Sequence, residues 1–218
     1  KFGANAGRSI TTGTVNSFFA QNSGGNVTTG SSNSGFGQDS LRDLTDGSSN
    51  FGGGRASLRL LQSGWNNTGV GMSSFENNVS GSDNVGVGKD SGKSNTGSRS
   101  TIVGKGSGLN SQGSDLVFLG FEAGFNETGS GKLHIANNRN RSLILGNFGA
   151  STIMLGSSSL EEPTAAADIS ASTSGRASLR IRAGVAPTTP NDGDIWSNGS
   201  DLFLRIGGAT YTLNKTAV

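Results

Sequence analysis

The chain has no cysteine. That removes disulfides, thiolate nucleophiles and cysteine-ligated metals together. Proline is down to three residues, and the 37 glycines keep no Gly-X-Y period, so a collagen helix is excluded. No apolar run approaches the ~18 residues of a membrane span, and no signal-peptide pattern stands in the sequence; membrane insertion is not expected. Charge is scarce, at 15% with a net of +2, and Lys and Arg are scattered without a run of like sign. A nucleic-acid partner is therefore not indicated.

Apolar residues make up only 31%, against a usual ~45–50%. One large conventional core is out of reach, and with it the Leu/Val/Ile-rich enzyme folds. Disorder would suit the low apolar content, but it usually needs high net charge as well. What the chain has instead is Gly, Ser, Asn and Thr, together 110 of 218 residues.

Those residues recur on schedule. Glycines at 13, 30, 47, 64, 81, 97, 113 and 129 mark intervals of 17 and then 16 residues, the signature of a repeat architecture. Positions are numbered here from 1 after each closing glycine. Asn holds the third position as Asn16, Asn33, Asn50, Asn67 and Asn84, until Ser100 and Leu116 replace it. An apolar residue holds the sixth in most units (Phe19, Phe36, Val70, Val87, Val103, Leu119). Gly recurs at the seventh as Gly37, Gly54, Gly71, Gly88, Gly104 and Gly120. The eleventh is Gly or a large apolar residue, and the closing glycine is expected to supply a positive φ. Two short strands and two turns per unit are predicted, one rung of a parallel β-solenoid. The residues before Gly13 match only the later part of a unit, and the chain opens at Lys1, which reads as a fragment or a processed piece.

Each rung offers two or three apolar side chains at roughly 1.5–3 kcal/mol apiece. That falls short of ~16 ordered residues at about 1–2 kcal/mol each. The shortfall predicts a narrow core shared by three chains, a homotrimer, with the asparagines turned to its axis where they could hold an ion; no other metal and no cofactor is expected.

Units such as N-T-G-V-G-x-x-S (67–74) and V-G-K-D-S-G-x-S-N-T-G (87–97) resemble the head repeats of trimeric autotransporter adhesins and the repeats of phage tail fibres. The resemblance covers residues 1–129 and implies a left-handed parallel β-roll built by three chains. The early 17-residue units depart from it.

Residues 130–156 break the period and read as three strands around Leu133–Ala136, Leu143–Leu145 and Ile153–Leu155, a cap on the roll. Residues 157–177 read as a linker, with a short helix over 165–169 as one option. In the C-terminal β module, 178–218, the run Ala177–Ala183 alternates as a strand. Leu202–Ile206, Gly207-Gly208 and Ala209–Leu213 form strand, two-residue turn and strand. The run P-x-D-G-D-I-W-S-N-G-S-D-L-F-L-R-I-G-G-A-T-Y-T-L (190–213) resembles a small module near the C-termini of phage tail fibres. An all-β fold with a trimeric parallel β-solenoid and a small β module is expected.

The resemblance implies a virion fibre segment. Its partners would be itself, other fibre or baseplate proteins, and a host cell-surface glycan or protein; a bacterial adhesin head and a passive spacer fibre are the alternatives. The sequence predicts no enzyme. The sole histidine, His134, lies between Leu133 and Ile135 and is expected to face the surface. The carboxylates are spread over many rungs, without the paired acids that glycoside hydrolysis requires. Trp65 and Tyr211 are the candidate binding aromatics, while Trp196 and Phe203 read as core of the terminal module.

Overall fold

A computed structural model describes residues 2–156, 167–169, 187–198 and 200–213. They fall into two compact units, residues 1–170 and 171–218. The first unit is a parallel β-solenoid of about seven turns, and no helix occurs among the described residues. Each turn supplies one three-residue strand: β1 (Ser17–Phe19), β2 (Ser34–Phe36), β3 (Phe51–Gly53), β4 (Thr68–Val70), β5 (Val85–Val87), β6 (Thr101–Val103) and β7 (Val117–Leu119). Every neighbouring pair is parallel and joins equivalent positions, as in Phe18↔Gly35 and Gly52↔Gly69.

One strand per rung replaces the two expected, and the backbone explains why. Positions 9 and 11 take left-handed φ values, 57° at Asp39 and 51° at Leu41, and curl that half of the rung into turns. Those turns are still bonded from rung to rung. Asp39 N–H donates to the Gln21 carbonyl and Leu41 N–H to that of Ser57, both at 3.0 Å. The strain of such φ values, about 1–2 kcal/mol per residue, is offset by these bonds.

The rung interior belongs to a single chain. The asparagines at position 3 form a buried column. Asn50 Nδ2 donates to the Gly64 carbonyl (2.8 Å), and Asn50 Oδ1 accepts the Asn67 N–H (3.0 Å). These amides bond to their neighbours inside the solenoid, which replaces the expected arrangement around a trimer axis. Position 10 adds a buried serine column, in which Ser40 Oγ donates to the Gly52 carbonyl (2.8 Å).

Apolar filling alternates between positions 5 and 11, with at most one of the two large in any rung. Position 5 points inward, and wherever it is large, position 11 is Gly: Phe18 with Gly24, Ile102 with Gly108, Phe118 with Gly124. Where position 5 is Gly, position 11 is large: Leu41, Leu58 and Phe75, all fully buried. Rung five has Gly86 and Gly92, and a Cβ at either would collide with the Phe75 ring of the rung below. With Val27, Leu44 and Leu61 at position 14, this closes a core within one chain. The polar columns at positions 3 and 10 line the rest of this interior.

Closing glycines do not carry the positive φ expected of them; none of the eight has one. Their role is contact, because a Cβ on Gly47 would strike the Gly64 carbonyl oxygen. Positive φ falls at position 7, where Gly54 has φ 143° and lies against the Gly71 backbone. The shorter rungs drop one residue just before the closing glycine, where Asn95 Oδ1 accepts the Gly97 N–H (3.0 Å).

Beyond rung seven the sheet continues. β8 (Lys132–Ile135) is parallel to β7; β9 (Ile144–Asn147) and β10 (Thr152–Leu155) follow antiparallel. β11 (Ala167–Ile169) pairs parallel with β10, so a strand stands where a helix over 165–169 was one option. The open edge of β10 offers this segment a full ladder, which three helical residues could not match. The alternating run 177–183 lies outside the described residues.

In the second unit β12 (Ile195–Ser197), β13 (Leu202–Ile206) and β14 (Ala209–Leu213) form an antiparallel sheet. Gly207 and Gly208, at φ 57° and 77°, make the two-residue turn between β13 and β14. Trp196 and Phe203 are direct cross-strand partners with stacked rings 5.5 Å apart.

The packing rule predicts a coupled pair of substitutions. Phe75→Ala will destabilise the solenoid by about 3–5 kcal/mol through the cavity it leaves. Adding Gly86→Ile, which copies Ile102 one rung on, will recover part of that loss in urea denaturation. Asn67→Ala, which orphans the Gly81 carbonyl and the Asn84 N–H, will cost roughly 2–4 kcal/mol by the same assay.

Candidate functional site

Strand alternation that sends position 5 inward sends positions 4 and 6 outward. The apolar residues at position 6 therefore stand on the outer face. Phe2, Phe19 and Phe36 stack with centroids 5.7 and 4.9 Å apart, and Phe51 follows at 5.9 Å. Phe51 comes from position 4 and lays its ring beside Gly53, which leaves position 6 empty. Val70, Val85, Val87 and Leu119 extend the strip, each between 37 and 39% exposed. No charged residue occupies either outward strand position from β1 to β7, and Leu133 and Ile135 continue both rows on β8. At the ~4.8 Å spacing of paired strands, the strip runs for about 35 Å.

Charge is placed elsewhere on the rungs, mostly in pairs. Arg59 meets Glu76 at 2.6 Å, with Lys93 on its other oxygen at 3.4 Å. Arg99 grips Asp115 through two hydrogen bonds of 2.7 and 2.9 Å, and Arg139 grips Glu122 in the same way. These guanidiniums hold the Asp115 and Glu122 carboxyls below their ordinary values.

His134 is buried, which corrects its expected place at the surface. The register pairs it with Phe118, an inward position, and the ring meets Phe118 edge-on at 5.0 Å. Its Nδ1 lies 2.8 Å from Ser142 Oγ and its Nε2 3.2 Å from Glu127 Oε2. Serine, histidine and carboxylate thus come together although the sequence showed no such trio. The Ser142 hydroxyl is buried, with 1% of the residue exposed, so a substrate cannot reach it. The trio closes the end of the core with satisfied polar groups. The hydrogen bond with His134 holds the Glu127 carboxyl below its usual value against the opposing pull of burial, and the Gly129 N–H adds to it.

Trp65 and Tyr211 are both more than half exposed, and each stands in a different unit. Trp65 occupies position 1, where Ser82, Ser98 and Ser114 otherwise accept a backbone N–H from the rung below. An aromatic the sequence reading missed is Phe148, 53% exposed on the loop between β9 and β10. It follows no repeat, so only its place after an apolar strand marked it.

Comparison with family models, with curated proteins and with solved structures returns no match for this chain.

The depressed Glu127 carboxyl contributes stability that is complete above the ordinary glutamate value, about 4.3, and is lost as pH falls through its lower folded value. Glu127→Gln removes that term. Between neutral pH and the acid range, melting temperature will therefore fall less for Glu127→Gln than for the native chain, measured by circular dichroism at a series of pH values.

Proposed function

We propose that this chain is a structural segment of a phage virion fibre, a tail fibre, that assembles as a homotrimer and presents a host-receptor-binding surface. The observation that carries the assembly is the uncharged apolar strip on the outer strand face. Contiguous exposed apolar surface of this extent is rare on monomers and marks an interaction site. The strip repeats with the rungs, so a second and third copy in parallel, in register, would set Phe on Phe and Val on Val around one axis. The resemblance of the run 190–213 to a tail-fibre module supports placement on a virion. A stiff in-register rod holding three copies would multiply weak contacts with a host surface by avidity.

Sedimentation velocity tests the assembly. The native chain will sediment at three times its 22.0 kDa. The double variant Phe36→Asp, Val87→Asp, with both changes on the outward face, will run as a single chain with an unchanged circular dichroism spectrum. A native particle of one chain would overturn the trimer. Binding of labelled protein to host cells, reduced in the double variant, checks the adhesive part.

A further inference from the structure

The β9–β10 loop starts beside the entry to β8, where the Phe148 N–H donates to the Gly131 carbonyl at 2.7 Å, and residues of rung seven lie next to it. Between the loop and the rung lies a cleft of about 610 Å3, lined by Arg99, Asp115, Val117, Ser130, Gly131 and Phe148 with Gly149. The hollow is open to solvent on one side, so a ligand would lie against it with one face exposed. A second hollow of about 240 Å3 shares Phe148 and is mainly apolar, lined by Leu133 and Ile153 with Asn147, Ser151 and Thr152. The Thr152 Oγ1 is buried and has no hydrogen-bond partner. An exposed ring thus stands between two hollows, one edged by an ion pair and the other mainly apolar.

We propose that the Phe148 cleft is a binding site for a neutral hexopyranose unit of a glycan. The walls set the class of ligand. A phenyl ring presents a flat apolar face, which suits the C–H face of a pyranose. Arg99 and Asp115 neutralise each other, so the cleft has no net charge to attract an anion, and Asp115 repels one. Their remaining lone pairs and N–H groups stand on the rim, the donor-and-acceptor set that vicinal hydroxyls require. An alkyl ligand would leave those groups without new partners, and a sugar satisfies them. The inference names the ligand class for the receptor-binding role proposed above and rests on that role. The cleft shares Val117 with the outward strand face, so binding is measured both on the native particle and on the double variant Phe36→Asp, Val87→Asp.

Methyl glycosides of glucose, galactose, mannose and N-acetylglucosamine, titrated singly into the native chain, test it by NMR on the aromatic ring carbons. At least one glycoside will shift the Phe148 resonances saturably. Phe148→Ala will weaken that binding by about tenfold, the effect of roughly 1.4 kcal/mol, followed calorimetrically. Asp115→Asn will also weaken it, while Phe121→Ala, an exposed aromatic outside the cleft, will leave it unchanged. N-acetylneuraminic acid serves as the anionic comparison and will bind more weakly than the best neutral sugar. The proposal is overturned if no glycoside shifts Phe148 up to its solubility limit, if affinity survives Phe148→Ala, or if the anionic sugar binds best. The native mass, measured on the same samples, separates this failure from failure of the trimer.

Discussion

Every rung is bonded to the next in register, so each residue lies over its own equivalent one strand spacing away. The rest of the structure follows from that constraint. An interior column of like residues must satisfy itself. Asn does so because its amide carries both a donor and an acceptor, as the chain of bonds through Asn33, Asn50, Asn67 and Asn84 illustrates. A column of like charges would repel itself. The exterior accordingly sets Asn22 against Asp39, Asn66 against Asp83 and Arg99 against Asp115.

The same constraint accounts for the modest apolar content. Three inward columns, at positions 3, 10 and 14, are wholly or partly polar, so most rungs hold only one or two large side chains in the core. Phenylalanines and valines beyond these are left on the strand face. A composition that looked too poor for a core is therefore also a composition with apolar groups to spare outside it. The interior and the proposed assembly surface come from alternate residues of the same three-residue strands.

Much of this could be read from the sequence, because periodicity survives without coordinates. The rung length, the glycine at position 7 and the Gly207-Gly208 hairpin each depend on local pattern alone. What could not be read depends on register or on bulk. Leu41 and Phe75 adopt left-handed φ although their side chains disfavour it, since the ladder and the core require that corner. His134 has apolar neighbours on both sides, which fits either face; only the alignment of β8 on β7 turns it inward. The closing glycines were read for their torsions, whereas their part is the close approach of stacked backbones. Phe148 belongs to no repeat, and its cleft exists only because the start of a loop lies next to residues of rung seven.

The closing turn tolerates both 17 and 16 residues while the strand above it never shifts register. Copying errors in the gene are thereby sorted by where they fall. A lost codon at that corner is absorbed, whereas one in the strand arc would turn the side chains that follow it in that strand inside out. Duplication of a whole unit leaves each column intact and only lengthens the rod. Lineages carrying such a repeat can therefore change reach freely while the cross-section, and whatever it docks against, is inherited unchanged.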